Sequence, residues 1–350
     1  MVAACVVLVG ISYLMLDILS GMVVVPRTPV REVESPGELV LPAAGKEIVA
    51  MDVSSDGEMI ALLEEPPEGG MARLSVSTAS GGGGALYERE VSGSSLAWLY
   101  GSRRLVFEDA GDIRLLDAGS MQTMDLTTGP EIDYDPLPSP DGRHILWTRS
   151  ERGAQAGSAV ELWVMDSGGG DPRMLAPKAE LAAWDPSGGK VISRCKGYGT
   201  ADGGGTEYYL QVAEPGREGW EYLAQCEGEP RFLWWPVLGE MLYLAPWRSS
   251  DQARTRAVWF KVGEAGESEK AATSESLGDD PSFYRFYPSR RGARVAYVGE
   301  KGLEYLDYEQ RRIYRFTRLS ASCPLAWDEA GGWLFYCGEG GVYRVAFRGD

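Results

Sequence analysis

One alternation of apolar and polar positions recurs along the chain. An aromatic or apolar residue is followed by a short polar turn that ends in glycine, and then by a hydrophobic run, as in Pro138–Gly142 before Ile145–Trp147. The turn glycines lie roughly 40 to 50 residues apart, a period typical of β-propellers and other repeat arrays. The seven copies begin at Val53, Ala97, Pro138, Trp184, Trp235, Tyr287 and Trp327.

Each copy predicts four short strands. Two strands flank the turn, a third alternating strand follows, as at Glu161–Asp166, and a shorter fourth strand usually comes next, as at Arg173–Leu175. Four strands per unit is the blade of a propeller. After residue 25 no convincing helical pattern occurs, so the sequence predicts an all-β fold.

The two ends of the repeat region complement each other. The seventh unit stops at Asp350 after three strands, and a spare apolar strand, Glu38–Leu41, precedes the first full unit. If that strand completes the last blade, two exposed sheet edges disappear. We therefore predict a seven-bladed β-propeller over residues 37–350 that is closed by an N-terminal strand. Six blades are the alternative, because the repeat spacing is loosest between units four and six.

The first 25 residues form one long apolar stretch whose sole charge is Asp17. A membrane-spanning helix needs about 20 such residues, and the surrounding Leu, Ile and Val offset the cost of one aspartate. No Lys or Arg precedes the stretch, and Val23–Pro26 is a poor cleavage site. Residues 1–25 are therefore predicted to be one N-terminal transmembrane helix that acts as an anchor or an uncleaved signal, with a signal peptide as the alternative.

Residues 26–36 carry three prolines and lack apolar periodicity, so they predict a stiff polar linker. Arg27 and Arg31 follow the apolar stretch, and the positive-inside rule would place that side in the cytoplasm. The cysteines favour the opposite orientation.

Cys323 and Cys337 flank the hairpin turn at Ala330-Gly331, in a register that also places Leu325 opposite Phe335. Opposed residues lie about 4.5 to 5.5 Å apart at Cα, within disulfide range, and a disulfide implies an oxidising compartment. Two buried thiols are the alternative. Cys195 and Cys226 form a weaker second pair. We predict a cell-membrane protein with an extracytoplasmic propeller.

The formal net charge of −17, from 51 acidic and 34 basic residues, argues against nucleic-acid binding, which depends on Lys and Arg at phosphates. His144, the one histidine, lies at the start of a predicted second strand. No Gly-x-Ser-x-Gly elbow and no Cys-x-x-Cys pair occur. Asp133-Tyr-Asp135 and Asp279-Asp280 lack calcium-loop spacing and are predicted to be solvated turn residues. No catalytic residue, cofactor or metal site is predicted.

The tryptophans fall into two groups. Trp98, Trp184, Trp235 and Trp327 recur at the repeat position and are predicted to pack between blades. Long insertions at 151–158, 197–206 and 247–254 are predicted to join second strands to third strands, where binding residues concentrate. The candidate binding surface consists of off-register tryptophans and a tyrosine of the glycine-rich insertion, namely Trp220, Trp234, Trp247 and Tyr198.

The third copy resembles a known repeat. Leu137–Trp147 followed by Glu161–Leu175 is similar to the WD40-like propeller repeat of TolB-type proteins. The resemblance implies a propeller that is often extracytoplasmic in bacteria and commonly a protein-interaction scaffold. TolB proteins have a separate N-terminal domain and six blades, so this chain departs from that family twice.

These patterns predict a membrane-tethered extracytoplasmic scaffold that binds an envelope or membrane protein and performs no catalysis. One alternative is a ligand-binding or sensor propeller for a sugar, a peptide or a cation. The other is a glycoside-active enzyme, since two carboxylates suffice for that chemistry.

Overall fold

A computed structural model gives the fold. The described residues are 30–34, 37–42, 47–65, 70–80, 84–153, 160–197, 207–226, 228–237, 240–249, 252–262, 268–277, 286–289, 293–299, 302–310, 312–317, 319, 321–328 and 332–346. The predicted membrane helix at residues 1–25 lies outside them. Within these ranges, no helix has the length and hydropathy needed to cross a membrane.

The described residues form two compact units. The first unit comprises the described residues within Glu34–Glu180, Pro215–Gly219 and Thr317–Asp350. The second comprises the described residues within Met1–Val33, Leu181–Glu214 and Trp220–Phe316. Each of the seven sequence repeats supplies the strands of one sheet.

The first unit contains four antiparallel sheets of four strands. The first sheet consists of β3 (Glu47–Val53), β4 (Met59–Glu65), β5 (Ala72–Thr78) and β6 (Tyr87–Val91). The second consists of β7 (Leu96–Trp98), β8 (Arg104–Asp109), β9 (Asp112–Asp117) and β10 (Gln122–Asp125). The third consists of β11 (Ile132–Pro138), β12 (His144–Ser150), β13 (Glu161–Asp166) and β14 (Arg173–Pro177). The last consists of β27 (Ala321–Trp327), β28 (Trp333–Gly338), β29 (Gly341–Ala346) and the N-terminal β2 (Glu38–Pro42).

The second unit contains three sheets. One consists of β15 (Ala179–Trp184), β16 (Val191–Lys196), β17 (Tyr208–Ala213) and β18 (Trp220–Gln225). Another consists of β19 (Phe232–Val237), β20 (Glu240–Ser249), β21 (Gln252–Val262) and β22 (Ser268–Leu277). The third consists of β23 (Phe286–Pro288), β24 (Arg294–Gly299), β25 (Gly302–Asp307), β26 (Arg312–Thr317) and, as a fifth strand, β1 (Val30–Glu34).

The polar turn of the repeat is held by its own side chains. Ser139 Oγ donates a hydrogen bond to Asp141 Oδ1 at 2.5 Å and accepts one from the backbone N of His144 at 3.0 Å. Gly142 follows with a φ of +72°, which glycine adopts without a steric cost. The hairpin between the first and second strand therefore follows directly from the local sequence.

The tryptophans of the repeat position are buried, as predicted. Trp98 packs against the apolar residues of the β3–β6 sheet. Its indole Nε1 donates to the carbonyl of Asp52 at 3.2 Å, and its backbone N donates to Asp52 Oδ2 at 2.7 Å. The exposed fractions are 0% for Trp98, 8% for Trp184, 3% for Trp235 and 4% for Trp327.

The predicted pairing of the chain ends is confirmed. β2 lies antiparallel to β29, with Glu38 opposite Arg344. The Arg344 guanidinium donates to both oxygens of the Glu38 carboxylate, at 2.9 and 3.0 Å. A Cβ at Gly341 would lie 2.2 Å from the carbonyl oxygen of Leu41, so glycine permits the close approach of the two strands.

Part of the predicted linker is a strand. Residues 30–34 form β1 at the outer edge of the sheet, beside β26. Their alternating Val and charged residues carry a strand pattern that the prolines of residues 26–36 obscured. Residues 26–29 and 35–36 lie outside the described ranges.

The predicted register around the cysteines is wrong by one position. Ser322, not Cys323, lies opposite Cys337, and Leu325 lies opposite Tyr336. A register shift is the reason, because β27 advances three residues, from Ser322 to Leu325, while β28 advances one, from Cys337 to Tyr336. Cys337 is buried, and the disulfide stays a prediction. Cys195 and Cys226 lie on either side of β17, with Cys195 opposite Tyr209.

One predicted insertion is regular structure. The stretch 247–254 continues β20 and β21 as a ladder, in which Trp247 pairs with Arg254. The insertions at 151–158 and 197–206 do separate second strands from third strands, as predicted.

Candidate functional site

Two residues of the predicted binding surface, Trp220 and Trp234, lie on different strands and differ in exposure. Trp220 lies on the outermost strand β18 and exposes 45% of its surface. Trp234 lies on β19, exposes 3%, and meets Tyr308 edge-on at 5.8 Å between ring centroids. The prediction was therefore wrong for Trp234, because an off-register position in the repeat also packs in the core. Trp247 lies in β20, and Tyr198 lies outside the described residues.

The first strands of neighbouring sheets contact one another in the first unit, as the inner strands of propeller blades do. β27 contacts β3, β3 contacts β7, and β7 contacts β11. Register shifts interrupt three of these strands, β3, β11 and β27. Bulges re-aim side chains and are common beside functional sites.

Asp135 lies in the bulge of β11. Its φ of +53° is uncommon for a residue other than glycine. The side chain is solvent-exposed, yet desolvation by surrounding protein raises the pKa of its carboxyl group. Among the described residues, none forms a hydrogen bond or an ion pair with this carboxylate.

Glu108 at the end of β8 belongs to the same environment. Its Oε2 accepts hydrogen bonds from the backbone N of Ser94 at 3.4 Å and from Ser95 Oγ at 3.2 Å. Burial raises the pKa of Glu108, and the negative charge of Asp135 raises it further. The two hydrogen bonds act in the opposite direction and do not cancel the rise.

Tyr134 links a third carboxylate to the pair. Burial raises the pKa of its phenol, followed by the negative charges of Asp135, Glu180 and Glu108. Glu180 lies on β15 and is half-buried. We call Glu108, Tyr134, Asp135 and Glu180 the inner acidic cluster. All four lie within residues 34–180, in the first unit, and are linked through the pKa shifts of Glu108 and Tyr134.

Two buried carboxylates of the first unit are neutralised by arginine. Asp133, 2% exposed, binds Arg149 through both oxygens at 2.7 and 2.8 Å and also accepts from Trp147 Nε1 at 2.9 Å. Asp109, 5% exposed, binds Arg89 at 3.0 Å. These carboxylates stabilise the sheets, whereas the charge of Asp135 is available to a ligand.

Asp133 and Asp135 were predicted to lie in a turn. Both lie in the first strand of a sheet. Residues two apart share one face of a regular strand, and the bulge redirects Asp135, so the two side chains serve different purposes. Asp279-Asp280 lies outside the described residues. The pairing of Glu108 with Asp135 had no sequence signal, since strand packing brings them together.

His144 begins β12, as predicted, and its Nε2 lies 3.9 Å from Asp166 Oδ1. Within the described ranges, no group of three or more His, Cys, Asp or Glu residues is arranged to hold a metal ion.

The fold is similar to solved propeller structures. No protein-family model and no curated protein matches the chain. The β-propeller domain of the trilobed protease from Pyrococcus furiosus has a TM-score of 0.59 at 9% identity, over 87% of this chain and 96% of that one. An oligogalacturonate lyase from Vibrio parahaemolyticus has a TM-score of 0.58 at 10% identity, over 90% of this chain and 99% of that one.

Some similar structures are longer than this chain. It spans 55% of a puromycin-hydrolysing peptidase from Mycobacterium tuberculosis, with a TM-score of 0.59 and 14% identity over 90% of this chain. It spans 34% of the tricorn protease, with a TM-score of 0.56 and 12% identity over 90% of this chain.

These likenesses confirm the all-β, propeller-like fold and the resemblance to WD40-like propeller repeats. They contradict the predicted function, because the similar structures include a peptidase, a protease and a lyase. The inference from this fold to a non-catalytic interaction scaffold was therefore wrong. Function has to be argued from the site, since one fold hosts many functions.

Proposed function

We propose that this protein is a ligand-binding β-propeller whose inner acidic cluster binds an organic cation. The observation that carries the proposal is Asp135, an exposed residue in the bulge of β11 whose carboxyl pKa is raised by desolvation. Perturbed carboxyl groups in a cleft are candidates for functional residues. Desolvation removes part of the hydration that stabilises the ionised carboxylate. A bound cation replaces that stabilisation by direct electrostatic attraction.

The carboxylates of the cluster favour an organic cation. A metal ion needs several oxygen ligands at about 2.0 to 2.6 Å from one point, whereas a single carboxylate binds an amine or guanidinium through charge-assisted hydrogen bonds. Glu108 and Asp135 come from strands of two different sheets. A polyamine carries more than one ammonium group and can bind the two carboxylates separately.

The negative charge also argues against the kind of substrate that is named for the lyase among the similar structures. Oligogalacturonate is a polyanion, and an acidic inner surface repels it. The formal charge of −17 adds to that repulsion.

Titration calorimetry of the full chain with spermidine tests the proposal. We expect saturable binding that weakens with added salt, and an affinity about tenfold lower in Asp135→Asn, because a hydrogen bond to a charged group contributes about 1.5 to 3 kcal/mol. Asp171→Asn is the matched control, since Asp171 is also at a φ of +53° and is exposed. Equal binding by the wild type and Asp135→Asn, or no binding of spermidine, would overturn the proposal. Binding of Ca²⁺ in place of spermidine would reassign the ligand to a metal.

Acid catalysis is the second candidate, and the raised pKa of Glu108 favours it. A carboxyl group that retains its proton towards neutral pH is suited to act as a general acid. An activity screen on neutral or cationic glycosides, with Glu108→Gln as the inactive control, tests this candidate. Activity that persists in Glu108→Gln would remove it.

We also infer seven blades, supported by the sevenfold repeat and by the completion of the β27–β29 sheet by β2. A crystal structure with six blades or an unclosed ring would contradict this count. Membrane attachment through residues 1–25, an extracytoplasmic location and an envelope or membrane protein partner stay predictions. Release of the protein from membranes by carbonate extraction would argue against the attachment.

A further inference from the structure

Strand β18 presents an exposed pair of aromatic side chains. Trp220 exposes 45% of its surface and Tyr222 exposes 58%. In the part of the chain whose burial is described, no other aromatic side chain is as exposed. The two residues lie opposite Ala213 and Gln211 of β17, and positions two apart share one face of a strand. The ring of Tyr209, also on β17, packs against that of Tyr222 at 5.9 Å between centroids.

The outer edge of β18 is open to a further strand. β18 is the last strand of its sheet, and none of the described strands pairs with its other side. Such an edge presents unpaired N–H and C=O groups. In the same unit, the sheet of β23–β26 carries β1 as a fifth strand beside its outermost strand β26. The second unit therefore already accommodates one additional strand at the outer edge of a four-stranded sheet.

The charge around β18 favours a basic partner. Residues 214–222, the turn before β18 and its first three positions, contain three glutamates and one arginine. Glu218 and Glu221 are exposed, and β18 itself contains no Lys or Arg. A positively charged segment is attracted to such a surface, and an acidic one is repelled.

Two arginine–tryptophan contacts in the first unit show how an arginine on a neighbouring strand meets an aromatic ring. The Arg149 guanidinium on β12 lies 4.2 Å from the ring centroid of Trp163 on β13, and that of Arg344 on β29 lies 4.4 Å from the ring centroid of Trp333 on β28. In each pair, the arginine is two positions away from the residue directly opposite the tryptophan. Long side chains at such diagonal positions reach each other, and the ring attracts the cation electrostatically. A strand beside β18 with arginine at alternate positions would make this contact with Trp220.

We infer that β18 binds an extended basic segment of a partner protein, which adds a strand to the outer edge of the sheet. Backbone hydrogen bonds hold such an added strand, and its alternate side chains provide specificity. Here those side chains are arginines that stack on Trp220 and Tyr222. The inference concerns residues outside the inner acidic cluster and is independent of the proposed function.

Fluorescence anisotropy of the full chain with a labelled, amidated Arg-Val-Arg-Val-Arg peptide tests the inference. We expect saturable binding that is at least about fivefold weaker in Trp220→Ala, because the cation–π contact is lost. Tyr222→Ala repeats the measurement at the more exposed position. Met124→Ala is the matched control, since Met124 is 50% exposed on β10, the outermost strand of another sheet. We expect Met124→Ala and Asp135→Asn to bind the peptide like the wild type.

Two altered peptides separate strand addition from general attraction to an acidic protein. Arg-Pro-Arg-Pro-Arg keeps the charge but lacks the backbone N–H groups at its prolines. A peptide with citrulline in place of arginine keeps the shape but lacks the charge. We expect both to bind at least about fivefold more weakly. Hydrogen exchange followed by mass spectrometry is expected to slow at residues 220–225 when Arg-Val-Arg-Val-Arg is bound.

Several results would overturn the inference. These are no saturable binding, equal affinity of the wild type, Trp220→Ala and Tyr222→Ala, equal binding of the proline peptide, and unchanged hydrogen exchange at β18. Loss of peptide binding in Asp135→Asn would move the peptide to the inner acidic cluster. A dimer of the free chain that Trp220→Ala dissociates, measured by light scattering, would assign this surface to a second copy instead.

Discussion

Ser54 and Ser139 occupy the same place in two copies of the repeat, and each accepts a hydrogen bond from the backbone N–H that begins the second strand. In the fourth copy Asp185 does the same for Lys190 at 2.9 Å, and in the seventh Asp328 takes this place. What recurs is a short side chain with an oxygen acceptor, not one residue type. This explains why the repeat tolerates exchange between serine and aspartate.

At this scale we predict that Ser139→Ala lowers the free energy of unfolding by about 1 to 3 kcal/mol, because it leaves the backbone N of His144 without its acceptor at a site where Ser139 is 1% exposed. Urea denaturation measures the loss. Ser120→Ala is the control, since Ser120 is exposed and donates a hydrogen bond to the partly exposed Asp117, and we expect little change. Equal stability of both variants would contradict the prediction.

Asp135 and Glu108 form the second residue-scale pair. We predict that Asp135→Asn lowers the pKa of Glu108, because a negative charge that disfavours ionisation is removed. A 13C NMR titration of the Glu108 carboxyl measures the shift. Asp171→Asn changes the net charge equally and is expected to leave the Glu108 pKa in place. An unchanged pKa in Asp135→Asn would mean that burial alone sets it.

At the scale of elements, strands from the N-terminal region pair with the outer edges of two sheets. β2 completes the sheet of β27–β29, and β1 adds a fifth strand beside β26. Bulges in β3, β11 and β27 interrupt the first strands, where the inner surface lies. The regular hairpins therefore build the scaffold, and the irregular first strands redirect side chains such as that of Asp135.

We predict that Gly341→Ala weakens the β2–β29 pairing and lowers the free energy of unfolding by about 1 to 3 kcal/mol, the usual cost of overpacking. The added Cβ would lie 2.2 Å from the Leu41 carbonyl oxygen, a backbone atom that yields only if the strand moves.

Thermal and urea denaturation measure the effect. Gly168→Ala is the matched control, because no atom lies within 4 Å of its Cβ position. A fully stable Gly341→Ala variant would show that β2 contributes little to the first unit.

At the scale of the whole molecule, the acidic residues fall into two groups. Most carboxylates are solvated or bound to arginine, whereas the inner acidic cluster concentrates negative charge where water is partly excluded. Such an arrangement costs stability in the free protein, and a bound cation relieves the cost by binding the folded state.

The raised pKa values of Glu108 and Asp135 predict that the free energy of unfolding depends on pH. The ordinary pKa values are 4.5 for Glu108 and 3.8 for Asp135, and both are raised in the folded protein. The folded state then holds these protons more tightly than the unfolded chain. Their contribution to stability is fully present below the ordinary values and is lost as the pH rises through the raised ones.

We therefore expect the double variant Glu108→Gln/Asp135→Asn to gain stability relative to the wild type as the pH rises above about 4, with a plateau once both groups are ionised. Urea denaturation at stepped pH measures the difference. Parallel curves for the two proteins would contradict the prediction. Asp171→Asn, outside the cluster, is expected to follow the wild type.

The sequence by itself determined the repeat, the hairpin turns, the buried tryptophans and the role of β2. Each depends on contacts within one repeat or on an apolar period, and both are visible along the chain. It did not determine the bulge that moves Cys323 out of line with Cys337, the burial of Trp234, or the strand at residues 30–34. Those depend on pairing between distant strands.

The sequence by itself did not determine the inner acidic cluster either, because the cluster depends on packing between distant strands. Asp135 was visible in the sequence as one of many acidic residues, and only tertiary structure separates it from Asp133, which an arginine neutralises. The physical reason is that exposure and charge compensation are set by neighbours that lie far away in sequence. Local patterns decided the architecture, and long-range packing decided which carboxylates are available to a ligand.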